Sequence, residues 1–269
     1  GVRYIYHENF KNHATPNVAL MYKPGKFNFR ASYAAGFRTP TLSELYATDI
    51  AKKNDRLTIG NLDLKPEKNN YFSLSAEYVH ERFSVSVNAF YNNIRDMIDY
   101  NTIATGDKAM EQYGHKEVRQ RDNIAEAKVH GINVSANAYL GAGFNLSGGY
   151  THLNTQDVEL EQPIDKSIKN AYNINAQWAH SWKIYRLNIN LNGRINSKRF
   201  SKSYGYAPEY QLWDLNTRHS FNLKSVIIEP GFGMENLFDY MDDRPYNSNY
   251  ATLTPGRSFY ISLSLKFKS

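Results

Sequence analysis

Two His-Ser neighbours, His180-Ser181 and His219-Ser220, are the places where this chain could set a base beside a nucleophile. Acyl transfer would also need donors for a developing oxyanion, and neither stretch has the Gly-rich or Asn-bearing surround that supplies them. Cysteine chemistry is excluded, because the 269 residues include no Cys and so no thiolate nucleophile, disulfide or thiolate metal site. Asp242-Asp243 offers a carboxylate pair to Ca²⁺, but two ligands are too few for a site. The formal charge of +6 is spread along the chain without a Lys/Arg run, so no nucleic-acid partner is expected. The chemistry-bearing residues point away from an enzyme.

The elements that must position these residues are strands. From Ser258 to Phe267, Phe259, Ile261, Leu263, Leu265 and Phe267 point one way, and Ser258, Tyr260, Ser262, Ser264 and Lys266 the other. Between Phe27 and Phe37 the odd residues are apolar or aromatic, while Asn28, Arg30, Ser32 and Ala34 face inward. Twelve strands are expected, over 2–9, 16–24, 26–37, 69–80, 82–103, 117–140, 143–156, 169–181, 184–199, 209–222, 225–239 and 257–268. Short connections at 24–26, 80–82, 141–143, 182–184 and 223–225 alternate with long ones at 38–68, 104–116, 157–168, 200–208 and 240–256. Period-two polarity with turns of alternating length describes an antiparallel transmembrane β-barrel, apolar outside and polar within. The mean hydropathy of −0.62 is no obstacle, since only every second residue of such a strand meets lipid. Pro230-Gly231 predicts a bulge, because proline removes a ladder donor.

Four segments resemble, in order, those of TonB-dependent outer-membrane receptors. Gly36-Phe37-Arg38-Thr39-Pro40 looks like the family's FRAP box. Asn61-Leu62-Asp63-Leu64-Lys65-Pro66-Glu67 resembles its NPDLKPE segment, and Asn236-Leu237-Phe238-Asp239 its NLFD motif. Gly256-Arg257-Ser258-Phe259 resembles the start of the last strand. The resemblance implies a barrel of about 22 strands around a plug. Twelve strands would then be its C-terminal part, with residues 1–269 one barrel unit and the plug and earlier strands outside this chain. The first strand is expected to pair with another segment, or residues 1–9 and 257–268 to close a smaller barrel.

The function this resemblance implies is TonB-driven import of haem or a ferric siderophore across a Gram-negative outer membrane. Implied partners are TonB, the N-terminal half of the receptor, outer-membrane lipid and lipopolysaccharide, with a surface lipoprotein as a further candidate. No cofactor is expected beyond the transported haem or chelate. Cobalamin import, a self-contained phospholipase-like barrel and a passive pore are the alternatives. Candidate ligands on the long-loop side are His13, His115, His152, Tyr113, Tyr204, Tyr206 and Tyr246, which could bind iron or stack on a porphyrin. The haem branch carries a His between its first two boxes, whereas residues 41–60 contain none. Lys52, Lys53 and Arg56 could instead hold an anionic chelate, with Lys108, Lys116, Arg119 and Arg121 nearby.

Overall fold

The computed structural model describes residues 1–8, 10–242 and 251–268. Twelve antiparallel strands follow one another through a continuous wall. They are β1 (Val2–Ile5), β2 (His13–Tyr22), β3 (Phe27–Arg38), β6 (Glu67–Val79), β7 (Phe83–Thr105), β8 (Glu117–Gly141), β9 (Phe144–Asp157), β10 (Asn170–Trp182), β11 (Tyr185–Asn196), β14 (Tyr210–Asn222), β15 (Val226–Glu235) and β16 (Ser258–Phe267). Wherever a strand was expected, one is found, usually within a few residues.

Register fixes the faces. Phe27, Tyr78, Val85, Ala136, Gly148, Ile174, Gly193 and Trp213 lie in one row across eight strands. The adjacent row, on the opposite face, reads Asn28, Glu77, Ser86, Ser135, Gly149, Asn173 and Arg194. Cross-strand bonds knit the polar face: Asn28 donates to Glu77 at 2.8 Å, and the Ser86 and Ser135 hydroxyls meet at 2.8 Å. Among the described residues, nothing covers the apolar face. Leu74, on an interior strand, is 63% exposed, which in water would be a large uncompensated cost.

Four further strands and two helices occupy the long connections, where only loops were expected. Residues 38–68 hold α1 (Leu42–Tyr46), β4 (Thr48–Ala51) and β5 (Arg56–Ile59). Next come α2 (Gly106–Tyr113) and, in the 200–208 region, the hairpin β12 (Arg199–Ser201) and β13 (Gly205–Ala207). These pieces are too short to announce themselves by periodicity; β5 is held by β8, whereas β12 and β13 pair with each other. In these connections Leu64 is 4% exposed and Ala109 fully covered, and Val118 of β8 is fully covered where β5 pairs with it.

Two expectations are corrected. Pro230 produces no bulge, because β15 keeps the same register with β14 on either side of Glu229 and Pro230, and an unbroken one with β16. Proline removes one donor, and here the ladder toward β14 simply skips that step. The irregularities fall instead in the β7–β8 pairing, near Met97 and Thr102, and in the β8–β9 pairing between Tyr139 and Gly141. Nor does the chain close a smaller barrel: among the described residues, β1 and β16 pair only with β2 and β15.

Candidate functional site

The connection between β3 and β6 leaves the wall at Arg38, whose place in the strand period puts it on the polar face. Thr41 starts α1 with a capping box: its hydroxyl accepts from Glu44 N–H at 3.2 Å, and its own N–H donates to the Glu44 carboxylate at 2.8 Å. That brings Glu44 to Arg38, which donates to it at 2.8 and 3.1 Å and to Glu67 at 2.7 and 2.6 Å. The guanidinium fork thus clamps both ends of the connection. Hydrogen bonds from Arg38 outweigh the partial burial of Glu44 and, helped by Thr41, hold its pKa at about 2.

Beyond α1 the chain crosses β6 and β7 and adds β5 to the far edge of β8. The pairing is parallel, Arg56 to Glu117 through Ile59 to Gln120. The turn before β5 is tied down by His115 Nδ1, 2.9 Å from Asp55 Oδ1, and by Lys116 N–H donating to the Asp55 carbonyl at 3.0 Å. The hydrogen bond to His115 lowers the Asp55 pKa. The return path is fixed by Asn123, whose amide donates to the Lys65 and Asp96 carbonyls at 2.9 and 2.6 Å and accepts from Lys65 N–H at 2.7 Å.

The result is a cap at the long-loop end that joins two connections. Lys52 and Lys53 stand exposed at the β4–β5 turn. Arg56 follows, its Nε buried without a hydrogen-bond acceptor. Arg119 is bonded to Glu117, and Arg121 lies 3.6 Å above the Tyr100 ring. Tyr113 ends α2 beside His115.

The remaining candidates lie elsewhere. His13 stacks on Phe37 at 4.4 Å, its Nε2 2.9 Å from the Phe10 carbonyl oxygen. His152 is in the outward row of Ala31, Leu74, Ala89 and Ile132, its Nδ1 2.8 Å from Asn170 Oδ1. Tyr204 and Tyr206 belong to the β12–β13 hairpin, with Tyr206 edge-on to Phe200 at 5.3 Å. Tyr246 and Asp243 lie outside the described residues. Of the motif residues, Phe37 lies on the outward face and Thr39 and Pro40 carry the chain toward α1. Asn61 accepts from Asp63 N–H at 2.9 Å. Leu64 and Pro66 are buried at the cap base. Asn236 exchanges two bonds with the Tyr240 backbone at 2.7 and 2.9 Å, next to Leu237 and Phe238.

The His-Ser neighbours cannot act together. Adjacent strand residues face opposite sides, so His180 sits with Trp178 and Trp182 outside while Ser181 faces inward. His219 likewise meets Tyr185 at 2.7 Å, whereas Ser220 bonds Glu229 across the polar face. Sequence reasoning missed Asp55, Asn123 and the Arg121–Tyr100 stack. The Thr41-Leu42-Ser43-Glu44 spacing was a legible signal for α1.

Solved structures with the same layout are receptors. A point mutant of a ferric enterobactin receptor from Pseudomonas aeruginosa superposes with a TM-score of 0.76 at 19% identity, over 99% of this chain and 42% of that one. A siderophore receptor from the same organism gives 0.71 at 17% identity, over 100% and 44%. The ferric preacinetobactin receptor from Acinetobacter baumannii gives 0.68 at 19% identity, over 96% and 36%. The chain therefore spans less than half the length of these proteins. The family model described as TonB dependent receptor-like, beta-barrel matches residues 1–237. With that match over most of its length and a wall of this layout, the chain belongs to the TonB-dependent receptor β-barrel family.

Proposed function

We propose that this chain is the C-terminal part of the barrel of a TonB-dependent outer-membrane transporter, and that its cargo is an anionic ferric chelate. The plug, the TonB-contacting segment and the strands that would complete the barrel lie on the rest of the receptor. The open β1 and β16 edges, and the greater length of the similar receptors, support this. An unpaired edge in lipid would strand backbone polar groups at several kcal/mol each.

The observation that carries the cargo reading is the parallel β5–β8 pairing. It brings the β4–β5 turn, which carries Lys52 and Lys53, to the start of β8, with Arg56 opposite Glu117 and Thr58 opposite Arg119. Receptors of this layout are named for ferric enterobactin, siderophores and ferric preacinetobactin. Haem is less well served: it needs an axial ligand inside, whereas His152 lies on the outward face and His115 is engaged by Asp55.

Titrating the purified receptor with ferric catecholate, haem and cobalamin, followed by tryptophan fluorescence, tests this. Ferric catecholate should bind, and a Lys52→Glu, Lys53→Glu, Arg56→Glu variant should weaken it by about tenfold or more. Haem binding with a Soret band altered by His115→Ala, or cobalamin binding alone, would replace the ferric-chelate reading.

A further inference from the structure

We propose that the open edge of β4 binds an extended acidic peptide by strand addition, the peptide backbone pairing with Thr48 and Ile50 and its carboxylates meeting Lys52 and Lys53. Such a partner is a polypeptide, separate from the cargo proposed above.

β5 takes the edge of β8 from Glu117 to Gln120, on the long-loop side of the stretch from Ala127 to Gly141 that β9 occupies. Among the described residues, β4 pairs only with β5, so its far edge is open. Which backbone groups face that edge follows from the bonds around it. Gly60 N–H donates to the Ala47 carbonyl at 2.8 Å, and Lys116 N–H to the Asp55 carbonyl at 3.0 Å. Antiparallel ladders alternate, so Asp49 and Ala51 bond to β5, while Thr48 and Ile50 each turn an N–H and a C=O to the open side. Thr48, Asp49 and Ile50 are exposed, Ile50 by 48%. An edge of this kind is a template for another extended chain.

The neighbouring side chains specify what that chain carries. Lys52 and Lys53 follow β4 in a turn closed by Asn54 N–H, which donates to the Ala51 carbonyl at 3.1 Å. Among the described residues, no salt bridge reaches either lysine. In an antiparallel addition, an apolar residue opposite Ile50 leaves the residues that precede it by two and three places opposite Lys52 and Lys53. Acidic residues fit there, whereas the place opposite Asp49 calls for an uncharged one. A small anion would use the lysines but leave the edge unpaired. Only a peptide repeats donors and acceptors about every 7 Å, as the β4 edge does, which is why the occupant is a polypeptide.

The test uses the purified receptor in micelles and a fluorescein-labelled peptide of two glutamates followed by alternating threonine and valine, read by anisotropy. The peptide should bind, and a Lys52→Gln, Lys53→Gln variant, or lysines in place of its glutamates, should weaken it about tenfold. N-methylating its valines, whose amides face β4, should abolish binding, and N-methylating its threonines, which face away, should not. Ile50→Pro removes an edge donor and leaves the β4–β5 ladder in place, so it too should abolish binding, with trypsin cleavage after Lys52 and Lys53 unchanged. If cleavage is faster in that variant, the two N-methylated peptides decide. Equal binding of the lysine peptide, equal effects of the two N-methylations, or full binding by Ile50→Pro would each overturn the site. Ferric catecholate is titrated alongside. Its failure to bind sinks the cargo reading alone, and absence of peptide binding sinks this inference alone.

Discussion

Arg38 and Glu67, 29 residues apart in sequence, face each other across the β3–β6 ladder and join through a fork of 2.7 and 2.6 Å. The same guanidinium holds Glu44, so one side chain closes the base of the whole connection. Arg38→Ala should leave two carboxylates facing each other and loosen the cap by about 1–2 kcal/mol, a figure discounted for solvent exposure. Trypsin should then cut faster after Lys52 and Lys53 while the wall stays intact. Unchanged cleavage would mean the clamp contributes little.

The same clamp has a pH signature. Glu44 is depressed in the folded cap, from an ordinary value of 4.5 to about 2. Its stabilisation is therefore complete above pH 4.5 and fades as pH falls toward 2. The chain has no Cys, so a spin label on Ile50→Cys reports the cap alone. Its mobility should be flat from pH 7 to 5 and rise only in more acid solution. A rise between pH 7 and 5 would implicate another group.

Asn123→Ala removes the partner of three backbone groups, on Lys65 and Asp96. Two or three kcal/mol of local destabilisation is expected, about 1 for each orphaned group. Hydrogen exchange at Lys65 should accelerate by a hundredfold or so. Exchange in the β10–β11 ladder should not change.

At the opposite end, Gly143 has φ +86°, and a Cβ there would lie 1.9 Å from the Ala179 carbonyl oxygen. Gly143→Ala should destabilise the β8–β9 turn by 2 kcal/mol or more, combining left-handed strain with a backbone collision. Gly106 also has positive φ, at +62°, but open space around it. Gly106→Ala should cost only about 1 kcal/mol. Thermal unfolding of the two variants in micelles gives the comparison, and equal shifts would contradict it.

The wall was legible because each strand writes its two environments into alternate residues, as Phe27 to Phe37 do over a full crossing. The cap was not. β5 has four residues, and nothing in Arg56-Leu57-Thr58-Ile59 says which strand edge it will join. Nor does the sequence say that Arg38, Glu44 and Glu67 meet, since that depends on α1 turning the chain back. Pro230 misled because a missing donor was equated with an inserted residue. His152 read as a loop-side ligand until register put it on the outward face.

β8 runs for 25 residues, roughly 80 Å, whereas a tilted strand crosses a bilayer in about ten. Much of the β7–β8 ribbon must therefore stand clear of the membrane like a mast, carrying the cap well above the headgroups. Whatever approaches the long-loop end meets this outpost before it reaches the wall below.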